Sequence, residues 1–253
     1  MSSDVWFWVQ LACAASGFPG ALMYLIYFRY RERRRRKGLP PKNMIPVLHL
    51  LGIPTGHIWL VMPWLPQVRS GSSETVWTMF SSGSNAMMVG MIGVLLALAG
   101  GYYCFRFVRT NFAVTMQDYS IPTELLRTGI YGQLRHPGVV AMFFLISGLC
   151  LATGALYTLL MLPLLVPMLW MTTYIEESEV LLPRFGDAYR EYMDAVSGFW
   201  CRQASVGLAL FVFAIGLLGF NEYGGIVGRL SHGLGGTVNL SYGKAVSGWM
   251  CQL

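Results

Sequence analysis

An Arg135-His136-Pro137 tripeptide and a run of carboxylates, Glu176, Glu177 and Glu179, flank a stretch, 138–174, that holds no charge. Six of the twelve acidic residues fall within 176–194. Histidine and carboxylate are the side chains that exchange protons near neutral pH or hold a cationic group in place. Pro137 biases His136 to extended geometry and suits the first turn of a following helix. The free N–H groups of that turn could hold a carboxylate or phosphate. Carboxylates at the C-terminal end of a helix oppose its dipole, and a cationic partner would offset that cost. A solvated helix end compensated by Arg184 and Arg190 accounts for the carboxylates without a ligand. Together, however, one place offers donors to an anion and the other offers acceptors to a cation. That pairing suits a zwitterion: an amino acid, or the methionine part of S-adenosylmethionine, which carries an amine, a carboxylate and a sulfonium.

The elements that must position these residues are membrane helices. Of 253 residues, 55% are hydrophobic and 12% charged, and the mean hydropathy is +0.51. Soluble domains carry about 25% charged residues. The net charge of +6 comes from basic residues clustered beside apolar segments, which indicates membrane topology rather than nucleic-acid binding. Five scattered cysteines without a CxxC pair give neither a disulfide framework nor a metal site. Cys251 lies too close to the C-terminus for a prenylation box.

Residues 5–28 are long enough to span a bilayer and, preceded by Asp4 rather than a base, do not read as a signal peptide. The basic run from Arg29 to Lys37 reads as a topogenic stop, with anionic-lipid binding as the functional alternative. A second span, 44–65, carries His49 and His57, which sit about 12 Å apart along a helix and cannot share one metal. After a polar turn at 66–76, a third span lies within 77–105. Its small residues, Gly100 and Gly101 among them, permit close helix packing or approach of a ligand. Residues 106–135 mix charge with aromatic and aliphatic residues, as an interfacial segment does.

The run 138–174 would form a helix of about 55 Å if continuous, far too long for a bilayer. A reversal at Thr153-Gly154 gives a hairpin, with Pro163 and Pro167 kinking the returning helix. A short polar helix follows Pro183, with Asp187 as its cap and Tyr189 and Tyr192 on one face. Residues 203–221 form a last span before a glycine-rich tail. Placing 29–43, 106–137 and 175–202 inside puts 15 of 18 Lys and Arg residues in the cytoplasm. The expectation is an all-α polytopic bundle of about six transmembrane helices, with both termini outside and both polar motifs cytoplasmic. Its regions are a three-span part, 1–105; a core, 106–202; and a last span with tail, 203–253. Plasma membrane and endoplasmic reticulum are not distinguished.

The stretch Gly129–Trp200 resembles the membrane methyltransferases that include isoprenylcysteine carboxyl methyltransferase and the phospholipid methyltransferases. The resemblance rests on Gly129, Tyr131, Arg135, His136 and Pro137 before a helical hairpin, then Glu176-Glu177, then Phe185, Gly186, Tyr189 and Tyr192. Where the family continues after His-Pro with x-Tyr-x-Gly, this chain has Gly-Val-Val-Ala at 138–141. The family's proline after the second tyrosine is also absent.

The resemblance implies S-adenosylmethionine as cofactor at the cytoplasmic mouth of the hairpin. The donor would be held by Gly100, Gly101, Tyr131, His136, Pro137, Glu176, Glu177 and Tyr189, with Arg135 and His136 in the catalytic role. A lipid-soluble acceptor would enter from the bilayer. An isoprenylcysteine-type carboxylate, oriented by Arg106, Arg109 or Arg135, is the first expectation; a phospholipid amine or small thiol is the alternative. Two other readings compete. One is a sterol-reductase-like enzyme using NADPH, whose 2′-phosphate the paired glutamates disfavour. The other is a transporter or haem-associated protein built on His49 and His57.

Overall fold

The computed structural model describes residues 3–39, 56–67, 83–115 and 124–198. These residues fold into helices and turns with no strand element. α1 (Ser3–Ala15) and α2 (Gly17–Arg36) meet at Ser16, whose hydroxyl donates to the Cys13 carbonyl at 2.6 Å. The expected first span is present within one long helical stretch, Val5–Arg36, with a local turn at Ser16, and its second part carries the basic run as helix. A short α3 (Ile58–Val61) leads into a 3₁₀ turn at Met62–Trp64. α4 (Gly83–Thr115) is followed by a 3₁₀ turn at Gly129–Gly132, then α5 (Pro137–Thr153) and α6 (Leu156–Glu176). A π-turn, Glu177–Leu181, joins α6 to α7 (Leu182–Phe185), and α8 (Asp187–Ala195) closes the described part.

The chain is an integral membrane protein by the length and apolarity of its helices. Val5–Arg36, Val89–Asn111 and Leu156–Phe185 are each long enough to cross a bilayer, and Pro137–Thr153 is a shorter apolar helix. The expected span 203–221 and most of 44–65, His49 included, lie outside the described residues. His57 is exposed just before α3.

The expected hairpin is present. Gly154 at φ +65° takes the left-handed conformation that ends α5, and the Ala155 N–H returns to the Cys150 carbonyl at 2.9 Å, a C-terminal cap that suits glycine. α6 continues as helix through Pro163 and Pro167. Its inner face (Tyr157, Met161, Leu162, Leu165, Met168) packs with Phe7, Trp59, Phe143 and Ile146 into the main core.

α4 differs from expectation at its end. It runs on past Arg106 and Arg109 to Thr115 as regular helix, because no glycine or proline interrupts 102–115. It lies against α5 backbone to backbone. A side chain on Gly93 would run into Leu151 and Ala152, one on Gly100 into Leu145 and Ala141, and one on Gly148 into Ala97. Small residues at helical spacing on both partners make this approach possible. α2 braces the other side, where Ala21, Tyr27 and Phe28 are buried with Ile175 and Val180.

Candidate active site

At the end of the hairpin the two polar motifs form one bonded cluster. His136 caps α5 (φ −120°, ψ 60°), and Pro137 is the first helical residue. The Val139 and Val140 N–H groups bond to the His136 carbonyl. Val139 N–H, one of the first-turn donors expected to hold an anion, is therefore already taken, while the Val140 bond is the first regular bond of the helix.

Opposite them, α6 gives way to the π-turn at Glu177. Adjacent residues on an α-helix point about 100° apart, yet both glutamates reach the same imidazole. His136 Nε2 lies 2.7 Å from Glu177 Oε1, and Nδ1 lies 3.5 Å from Glu176 Oε2. Both residues keep ordinary helical backbone angles, so it is the length of the glutamate side chains that lets neighbouring positions converge, with the π-turn following directly after.

Glu177 is the hub. Its Oε1 accepts from His136 Nε2, from Arg135 Nε at 3.0 Å and from Tyr189 Oη at 3.0 Å. Arg135 extends the cluster: Nη1 donates to the carbonyls of Met193 at 2.9 Å and Val196 at 2.8 Å. A guanidinium at the C-terminal end of α8 satisfies carbonyls the helix leaves over and complements its dipole. The backbones pair as well, Arg135 N–H to Ser197 O at 2.9 Å and His136 N–H to Gly198 O at 3.0 Å. Tyr192 Oη donates to the Tyr131 carbonyl at 2.6 Å, and Arg127 Nη2 donates to the Ala188 carbonyl at 2.6 Å. These bonds tie segment 127–136 to segment 177–198.

Burial opposes a charge on His136, but hydrogen bonds and charges from Glu176 and Glu177 outweigh it and raise its pKa to about 9. At neutral pH the cluster is two cations, Arg135 and His136, against two carboxylates. Burial, and then the Glu177 carboxylate, push the Tyr189 hydroxyl well above the ordinary phenol range. Burial does the same to Tyr131, and raises Tyr192 to about 12. All three phenols are therefore protonated donors.

A cleft opens beside this cluster. Tyr131, Glu176, Tyr189 and Tyr192 line it together with Asn111 and Glu124, and its cavity volume is about 170 Å³, smaller than the usual small-molecule pocket and open on one side. The Glu176 side chain is 51% exposed and that of Glu177 only 17%. The two neighbours therefore differ in kind: Glu177 is satisfied inside the protein and Glu176 faces outward.

Of the residues singled out from the sequence, Tyr131, Arg135, His136, Pro137, Glu176, Glu177 and Tyr189 come together here. Gly100 and Gly101 do not join them. Gly100 is committed to the contact with α5, and the side-chain position of Gly101 faces open space. His136 and the glutamates were expected on opposite sides of a ligand, but they bond to each other directly. Arg184 and Arg190 do not compensate the glutamates: Arg184 lies over the Phe185 ring and Arg190 bonds to Asp187. Compensation comes instead from Arg135, His136 and, at Glu179, Arg29. Sequence reasoning missed Glu124, Arg127 and the carbonyls of 193–198; backbone acceptors leave no residue-type signal.

Residues 85–188 match the family model described as phospholipid methyltransferase. The match takes in α4, the hairpin and the glutamate pair, and ends one residue before Tyr189. Comparison with curated proteins gave no match, and comparison with solved structures gave none.

Proposed function

We propose that the chain is a membrane methyltransferase of the family that its residues 85–188 match, and that it transfers methyl from S-adenosylmethionine to the amine of a lipid-soluble acceptor, at a cleft on the cytoplasmic face. The observation that carries this reading is the outward-facing Glu176, held by the internally bonded His136 and surrounded by three protonated tyrosines. The lining of the cleft suits the donor's cationic groups. Glu176 would take the donor's amine, and the rings of Tyr131, Tyr189 and Tyr192 suit a neighbouring cation. When bound, S-adenosylmethionine supplies an electrophilic methyl group.

The acceptor reading follows from charge. A carboxylate acceptor calls for a guanidinium to orient it. Arg106 stacks on Tyr102 on the exposed side of α4, and Arg109 is exposed on the same helix. Arg135, which does line the cleft, already serves Glu177 and two carbonyls. The carboxylates at the cleft are Glu124 and Glu176, a lining that favours a cationic head group. An ammonium must lose its proton before its nitrogen can attack, and the exposed Glu124 is the group left to take it. The same acidic lining disfavours the 2′-phosphate of NADPH.

Calorimetry on protein in lipid discs should detect S-adenosylmethionine binding, weakened by Glu176→Gln. A radiolabelled methyl donor offered with an aminophospholipid, a prenylated cysteine and a small thiol should label the first. Base-labile label on the prenylated cysteine would replace the amine reading with the carboxylate one. No donor binding in either detergent or discs would sink both.

A further inference from the structure

The basic run 29–37 takes no part in the cleft, and its form is informative. α2 does not stop at Phe28, the last residue it buries in the bundle; it continues as regular helix through Arg36. The arm is closed by Lys37, whose N–H bonds to the Arg34 carbonyl at 3.1 Å, and by Gly38 at φ +65°. It carries seven basic residues and one acid, Glu32. Glu32 is engaged within the arm, 2.7 Å from Arg35 Nε and 2.9 Å from Arg36 Nε. Arg31 and Arg34 lie over the rings of Tyr27 and Tyr30, each 5.8 Å from the centroid. Tyrosines at this position are characteristic of the level where bilayer meets water. Arg29 bonds to Glu179 at 2.9 Å, which fixes the arm at the same end of the bundle as the cleft. Arg33 and Lys37 are exposed beyond these contacts.

A topogenic signal acts through charge during insertion and requires neither a rigid helix nor a tether to another element. Here both are present. We propose that the arm Arg29–Lys37 is a binding surface for anionic phospholipid head groups, contacted chiefly by Arg33 and Lys37, with Arg29 anchoring the arm beside the carboxylate end of α6. The surface is independent of the methyl-transfer reading. It lies in the head-group layer, where clustered Lys and Arg residues attract anionic lipid.

The test uses full-length protein in discs of phosphatidylcholine mixed with phosphatidylglycerol, which is anionic but carries no amine for the cleft, with retained lipid counted by native mass spectrometry after detergent extraction. Phosphatidylglycerol should be retained over phosphatidylcholine, and salt should release it by screening. Arg33→Ala and Lys37→Ala should each weaken retention about five-fold. Equal retention of the two lipids by the wild type, or retention of phosphatidylglycerol indifferent to salt, would overturn the proposal. So would a variant that melts like the wild type in the same discs and retains phosphatidylglycerol equally well.

Discussion

Adjacent glutamates with different jobs should fail in different ways when each is neutralised. Glu177→Gln keeps the shape of the hub but removes its charge. Arg135 then remains as a largely buried cation, its side chain 14% exposed, facing an uncharged amide, and His136, 5% exposed, loses one of the two carboxylates that favour its charged form. Breaking a buried ion pair by removing one partner costs about 3–5 kcal/mol, and the Tyr189 bond weakens with it. Glu176→Gln removes a half-exposed carboxylate 3.5 Å from His136, and its structural cost should stay within about 1 kcal/mol. Thermal unfolding in lipid discs should show a large loss for Glu177→Gln and almost none for Glu176→Gln. Calorimetry with S-adenosylmethionine should rank the variants differently, since Glu176→Gln should lose binding while still folded. An NMR titration of His136 supplies a third readout, because either substitution removes one of the two carboxylates that raise its pKa. The reasoning is refuted if Glu177→Gln unfolds with the wild type, or if Glu176→Gln is the destabilised variant and binds donor normally.

The pH dependence has a definite sign. The folded pKa of His136, about 9, lies above its reference value of 6.5, so its contribution is complete below 6.5 and is lost as pH rises through about 9; melting temperature in discs should fall across that window. Gly148→Val should drive a side chain into the Ala97 backbone, costing about 3 kcal/mol or more, whereas Gly101→Ala meets open space and should change melting by less than about 1 kcal/mol. If Gly101→Ala instead abolishes donor binding without changing melting, that glycine belongs to the cofactor site after all. Tyr192→Phe removes the 2.6 Å bond to the Tyr131 carbonyl and should cost about 1 kcal/mol, read as a modest drop in melting temperature with a looser cleft.

How much of this was legible depends on whether the signal lies in residue type or in a partner's backbone. The hairpin was legible because an uncharged run longer than a bilayer must fold back, and Gly154 marks where. The meeting of His136 with Glu176 and Glu177 follows from that reversal, so the cluster was legible too. The extension of α4 to Thr115 was obscured because Arg106 and Arg109 look like the end of a span, although nothing there breaks a helix. The role of Gly100 could not be read from its own neighbourhood. A glycine that admits a ligand and one that admits a helix look alike until Ala141 and Leu145 are seen against it.

The π-turn at Glu177–Leu181 is the hardest feature to foresee. No proline or glycine marks it. It begins at the second glutamate of the pair: Glu176 and Glu177 both keep ordinary helical backbone angles, and their carboxylates converge on His136 through the length of their side chains. Glu179, inside the π-turn, reaches Arg29 on α2. Charges that look excessive along the sequence are thus matched in space by cations from α2 and from the segment before α5. The exception is the outer face of Glu176, and an acid left half-open among protonated tyrosines is what a cationic donor would require.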